Sequence, residues 1–219
     1  MTKPLALFDC DGTLVDSQHS ICAAMTRAFD AVKLPPPDRP TILSIVGLSL
    51  PHAMAKLLPE ADDQFHHHVA DQYRNAFRAM RTEGDVSEPL YDGIGALIDR
   101  LSTDGWLLGV ATGKSDRGLA LCLTQHGILD RFVTLQTADR HPSKPHTAML
   151  MAAMAEAGAT PETTVMIGDT TYDIDMAVTA GVRAIGVNWG YHSPEDLMAA
   201  GAVAVAVDSE DLGRHIGTP

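Results

Sequence analysis

The sequence predicts an α/β fold, a parallel sheet covered by helices on both faces and interrupted after its first strand by an all-helical block. Three observations carry that expectation. From about residue 86 onward short apolar runs alternate with amphipathic stretches, those stretches stop at glycines, and an isolated apolar run at the start precedes a segment with helical periodicity only. Strand–helix alternation implies parallel pairing, because each crossover helix returns the chain to the same edge and buries its apolar stripe on the sheet.

The first strand is "LALFD", an unbroken apolar run of the kind found where both faces of a strand are covered. Ile21, Met25, Ala28 and Val32 then recur at i, i+4, i+7 and i+11, one face of a helix that "LPPPDRP" ends. "SLPHAMAKLLP" continues the helical block, and so does a long stretch up to Gly84 in which Phe65, Val69, Ala76, Phe77 and Met80 share a stripe. Beyond it "WLLGVAT", "FVTLQT", "TTVMIGD", "VRAIGVN" and "AVAVAV" read as strands. Gly105, Gly127, Gly158, Gly181 and Gly201 each close a helical pattern, where a residue able to take positive φ is wanted. The predicted architecture is a three-layer, Rossmann-like parallel-sheet core built from residues 1–15 and 86–219, with residues 16–85 inserted as a small α-helical cap domain.

A chain of 219 residues with 45% hydrophobic side chains can bury one good core and a small appended module. Its 28 acidic against 16 basic residues, net charge -12, argue against nucleic acid or an anionic membrane as partner. Any small anionic ligand must be held by local positive charge or by a metal. Cys10, Cys22 and Cys122 are too few and too irregularly spaced for a disulfide framework or a zinc site, so they read as reduced and mostly buried. The opening "MTKPLALFDCDG" reaches acidic residues too early for a signal peptide, and no apolar run approaches membrane-spanning length, which makes the cytoplasm the expected location.

In an open α/β sheet, ligands bind at the carboxyl ends of the strands. Asp9 and Asp11 follow the first strand, Thr112 and Gly113 end the second, Lys144 lies in the loop after the third, and Asp169 ends the fourth. Gathering Asp9, Asp11, Asp169 and Asp173 is unfavourable by itself, since like charges ~4 Å apart repel by about 4 kcal/mol at an effective dielectric near 20. All-oxygen ligation by a few carboxylates, with room for water and phosphate oxygens, suits Mg²⁺ better than zinc. Lys144, the Thr112 hydroxyl and the N–H groups of Gly12, Thr13 and Gly113 complete a phosphate cradle. The spacing of Asp9 and Asp11 then acquires a meaning. A carboxylate at the strand end can attack phosphorus in line, and an acid two residues on can protonate the leaving oxygen and later activate water.

"DCDGTLVDS", "ATGK", "HPSKP" and "GDTTYDIDMAVTAG" resemble, in order and spacing, the four motifs of the haloacid dehalogenase-like hydrolase superfamily, near its phosphoglycolate phosphatase-like branch with a helical cap. The resemblance implies a Mg²⁺-dependent phosphatase of a small phosphorylated metabolite, with Asp9 as phosphorylated nucleophile and Asp11 as general acid/base. Thr112, Gly113 and Lys144 bind phosphate in that scheme. The metal takes Asp9, Asp169 and the main-chain carbonyl of Asp11, and Asp173 supports either the metal or Lys144. A phosphomutase similar to β-phosphoglucomutase and a non-catalytic phospho-receiver are the alternatives, the latter disfavoured by a lid and a shuttle acid that a receiver does not need.

In similar proteins a cap loop places polar or basic side chains over the leaving group, yet the counterpart here, "SIVGLSLPHA", has no Lys or Arg. Ser49, His52, Lys56 and His19 are the candidate readers of substrate, with ordinary helix surface as the competing account. His66, His67 and His68 read as an exposed helix face rather than a metal site, and Met149, Met151 and Met154 as core. Cys10 should turn away from Asp9 into the core, and Lys114 either adds to the field near phosphate or is solvated.

Overall fold

The computed structural model describes residues 3–218. Strand β1 (Leu5–Phe8), with every side chain buried, leads directly into the helical block. That block comprises α1 (Gln18–Ala31), α2 (Arg39–Leu43), α3 (Leu50–Leu57) and α4 (Asp63–Glu83). The Asp38 and Asp62 carboxylates accept the N–H groups of Thr41 and Phe65 at the starts of α2 and α4, satisfying donors that the first helical turn leaves open. Gly84, at φ 83°, stops α4. Ile21, Met25 and Phe29 of α1 pack with Met54, Val69 and Ala70 of α3 and α4 in an apolar cluster of their own. The chain enters and leaves the block side by side, with Val15 bridged to Leu90 and the Asp16 N–H donating to Pro89 O at 2.8 Å.

The rest alternates as the sequence predicts: α5 (Ile94–Thr103), β2 (Leu107–Thr112), α6 (Asp116–Gln125), β3 (Thr134–Thr137), α7 (Ala148–Ala157), β4 (Thr164–Gly168), α8 (Thr171–Thr179), β5 (Arg183–Val187), α9 (Pro194–Ala199), β6 (Ala204–Ala206) and α10 (Ser209–Ile216). The strands form one parallel sheet in the order β3-β2-β1-β4-β5-β6. Alternate side chains point to opposite faces. Ala6, Phe8, Val110 and Ile167 therefore join Ile98, Leu119 and Leu212 from α5, α6 and α10. Leu5, Leu7 and Met166 join Leu150, Ile174 and Leu197 from α7, α8 and α9 on the other face. Two apolar layers with one sheet between them are what the α/β pattern requires. Among the described residues, no helix is long and apolar enough to cross a membrane.

Three side chains depart from expectation. His66 is buried, its Nε2–H donating to Leu58 O at 2.9 Å, while His67 and His68 face solvent; consecutive positions step around a helix, so one of three turns inward. Met151 is 52% exposed, because Met149, Leu150, Ala153 and Met154 already occupy the inner face of α7. Cys10 and Cys122 are buried free thiols, but Cys22 is only half-buried.

Candidate active site

The Asp9 N–H continues the β1–β4 pairing by donating to Ile167 O at 2.8 Å, which anchors the residue at the carboxyl edge of the two central strands. Its carboxylate is 1% exposed, and neither oxygen accepts a hydrogen bond from the protein. Lys144 Nζ lies 2.8 Å from Asp9 Oδ1, an ion pair set off the hydrogen-bond direction, and 2.5 Å from Asp173 Oδ1. Asp173 also accepts the Thr170 N–H and hydroxyl at 3.2 and 2.7 Å, so one carboxylate caps the start of α8 and fixes the buried lysine.

Asp169, at the end of β4, is fully buried and held by two donors, the Thr13 hydroxyl at 2.9 Å and the Tyr191 N–H at 3.0 Å. Gly12 makes this approach possible: at φ +88° a Cβ on it would stand 2.2 Å from Asp169 Oδ2. Asp9, Asp169 and Asp173 each bring an oxygen within 4.8 Å of the others. Burial pushes the Asp9 carboxyl up to about 7 against the pull of Lys144. Burial, then the charges of Asp9 and Asp173, hold Asp169 well above the usual carboxylate range. Lys144, although burial opposes its charge, is held above its ordinary value by Asp173 and Asp9.

Three buried carboxylates share one lysine, and apart from that ion pair the Asp9 oxygens have no donor. A donor set of hard oxygens short of positive charge fits Mg²⁺. The Asp11 side chain stands apart from it. Its Oδ1 accepts the Ser17 hydroxyl at 2.5 Å and pairs with Lys114 Nζ at 2.6 Å. Lys114 also pairs with Glu88 Oε1 at 2.8 Å, and Arg81 reaches Glu88 Oε2 at 2.6 Å, which links α4 to Asp11 through buried charges. Lys114 is thus a bound partner of the acid rather than a solvated side chain. Thr112, 1% exposed, accepts the Lys114 N–H at 3.2 Å. Gly113 lets the helical block come close, since a Cβ there would lie 2.7 Å from Leu48 O. Cys10 packs in the core beside Cys122, and that neighbour together with burial raises its thiol well above the ordinary range.

Above these residues a cavity of about 740 Å³ opens between the sheet edge and the helical block. Asp9, Asp11, Thr112, Gly113 and Lys114 line its base, Ile21, Met25, Leu50 and Phe77 contribute apolar surface, and its other polar lining comes from Arg74, Arg78, Arg81 and Arg117 together with Tyr73, Thr82, Ser115 and Asp139. The four residues expected to read the substrate do not line it. His19 and His52 are exposed, and Ser49 donates its N–H to Ser143 Oγ at 2.8 Å while its hydroxyl meets His52 Nδ1 at 2.9 Å. Lys56 sits 4.6 Å above the Tyr172 ring and 2.9 Å from its hydroxyl. These contacts tie the helical block to the core. The arginines of α4 went unnoticed in the sequence, although positions 74, 78 and 81 recur at i, i+4 and i+7, the signature of one helix face.

The chain matches the family model of haloacid dehalogenase-like hydrolases over residues 6–187. "Probable phosphatase IndB" of Dickeya dadantii is 38% identical over 205 residues, 90% of this chain and 86% of that protein. At 30% identity stand a phosphoglycolate phosphatase of Cereibacter sphaeroides, aligned over 97% of this chain and 99% of its own, and the tyrosine-protein kinase PtkA of Mycobacterium tuberculosis, over 97% and 72%. The crystal structure of a predicted phosphatase from Clostridium acetobutylicum superposes with a TM-score of 0.89 at 27% identity, covering 99% of each chain.

Proposed function

The chain belongs to the haloacid dehalogenase-like hydrolase family, in its phosphoglycolate phosphatase-like branch, and we propose that this phosphatase is Mg²⁺-dependent and hydrolyses a small phosphorylated metabolite in the cytoplasm through an aspartyl phosphate. The observation that carries the reading is Asp9: a buried carboxylate at the base of the cavity, with no hydrogen bond to either oxygen, beside a buried lysine and a second carboxylate. A carboxylate that merely stabilised the fold would have its lone pairs satisfied.

Asp9 attacks phosphorus in this scheme, and its freedom from hydrogen bonds leaves an oxygen available to do so. Lys144, fixed by Asp173, supplies a positive charge that cannot swing away, and the Thr112 hydroxyl and the Gly113 N–H meet the remaining phosphoryl oxygens. Asp11 donates the proton to the leaving oxygen and then takes one from the hydrolytic water, with Ser17 and Lys114 setting its rotamer. Asp9 and Asp169, with the Asp11 main-chain carbonyl, would hold Mg²⁺, and Asp173 supports that shell. When bound, the metal supplies charge neutralisation for the clustered carboxylates and the incoming phosphate. Helices α1–α4, within residues 16–85, act as the cap that keeps bulk water from the acyl phosphate.

The test is phosphate release from a broad panel of phosphorylated metabolites with Mg²⁺, with EDTA, and with Asp9→Asn. Release that requires both Mg²⁺ and Asp9 is the expected result. Isomerised sugar phosphate without released phosphate would move the reading to a mutase, and a long-lived phosphoprotein without turnover to a receiver.

A further inference from the structure

We infer that the cavity takes a phosphomonoester with an apolar body and a second anionic group, the latter held between Arg78 of α4 and Arg117 of α6. The inference rests on the phosphatase reading and narrows its substrate class. Of the arginines lining the cavity, Arg74 is paired with Asp71 at 2.7 Å and Arg81 with Glu88 at 2.6 Å. Among the described residues, Arg78 and Arg117 form neither an ion pair nor a side-chain hydrogen bond. Both are exposed side chains, and the one further acid of the lining, Asp139, accepts the Asp116 N–H, so in a chain with 28 acidic and 16 basic side chains these two guanidiniums are left open to an anion from solution.

They also come from opposite sides, Arg78 from the helical block and Arg117 from the core. Two cations facing one cleft repel each other. An anion lodged between them offsets that repulsion and joins the two sides, and the planar guanidinium fork suits a carboxylate or phosphate in particular. The same cavity is also lined by the apolar side chains of Ile21, Met25, Leu50, Phe77 and Leu121. A wholly polar metabolite would leave that surface unmatched, whereas a ring or short hydrocarbon removes it from water. Size points the same way. At about 740 Å³ the cavity has the volume of sites that enclose ring-sized ligands, and a two-carbon phosphate would fill a small part of it.

The inference is tested by comparing kcat/KM for phosphate release from phenyl phosphate, 4-(carboxymethyl)phenyl phosphate and phosphoglycolate, in Mg²⁺. The two phenolic leaving groups are chemically matched, so their ratio reports the distal carboxylate. The wild type should favour the carboxylate-bearing ester over phenyl phosphate by about tenfold, the worth of one partly exposed charge-assisted contact, and should use phosphoglycolate least well. Arg78→Ala and Arg117→Ala should each bring the ratio towards one, and Arg78→Lys should keep part of it. A wild-type ratio of one or less, a ratio that survives both alanine changes, or phosphoglycolate as the fastest of the three would overturn the inference. Release from phenyl phosphate with no carboxylate preference removes the subsite and leaves the phosphatase standing. No Mg²⁺-dependent release, from these compounds or from the broad panel, removes both.

Discussion

Asp9 and Lys144 form a pair in which each residue is nearly inaccessible, the lysine held by Asp173 and the Asp9 oxygens without a hydrogen bond. Asp9→Asn keeps the shape of the side chain while deleting the nucleophile and one of three crowded negative charges. It should lower turnover at least about 10³-fold, the scale seen when a nucleophile is removed. Its metal-free melting temperature should equal or exceed that of the wild type, and a large fall would assign Asp9 a structural role instead. Lys144 behaves oppositely. Lys144→Ala strands Asp9 and Asp173 without a counter-charge, and breaking such a buried pair from one side costs about 3–5 kcal/mol. Urea unfolding should show that loss, together with loss of phosphate inhibition, and an unchanged midpoint would contradict the placement. The gathering of Asp9, Thr112, Lys144 and Asp169 was legible in the sequence because each sits at or just beyond a strand end and a parallel sheet aligns those ends. Arg78 and Arg117 were not, since each looks like ordinary helix surface until α4 and α6 are set across a cleft.

Elements are coupled here by one residue that no local pattern marks. Glu88, 2% exposed, follows the exit from α4 and holds Arg81 on one oxygen and Lys114, beside Asp11, on the other. No periodicity or motif singles it out, because its partners at positions 81 and 114 meet only after the helical block folds onto the sheet. Burial raises the Glu88 carboxyl, but Lys114 and Arg81 outweigh burial and hold it below its ordinary value. A depressed carboxylate contributes stability that is present above its unfolded-state value and is lost as pH falls through the folded one. Glu88→Gln should therefore destabilise the protein at neutral pH by roughly 3 kcal/mol, the low end for breaking a buried ion pair. The gap to wild type should narrow in acid, below the normal carboxylate range. Denaturant midpoints measured across pH check this, and a gap independent of pH would mean that packing rather than charge is responsible. The helices and strands themselves were legible from periodicity, whereas His66 and Met151 were misplaced because composition does not say which way one residue of a helix turns.

At the scale of the whole molecule, the chain concentrates buried negative charge at the sheet edge while its surface is acidic as well. The fold is held by two apolar layers and a separate helical cluster, so this charge is a local penalty that the rest of the structure tolerates. A divalent cation that binds only the folded state relieves the penalty and adds stability by mass action, about 2.7 kcal/mol at 100 times its Kd. For a chain of this size each kcal/mol moves the melting temperature by roughly 2–4 °C, so saturating Mg²⁺ should raise it by roughly 5–10 °C and EDTA should reverse the rise. Asp169→Asn should melt higher than wild type without metal, since a like charge is gone, and should lose most of the Mg²⁺ response. The measurement needs no substrate, so it tests the metal assignment independently of turnover. If wild type and Asp169→Asn respond to Mg²⁺ alike, the cation binds elsewhere, and the three carboxylates must be reconciled by protonation of one of them, for which Asp9, lifted to about 7, and Asp169, held well above the usual carboxylate range, are the two groups that burial favours in the neutral form.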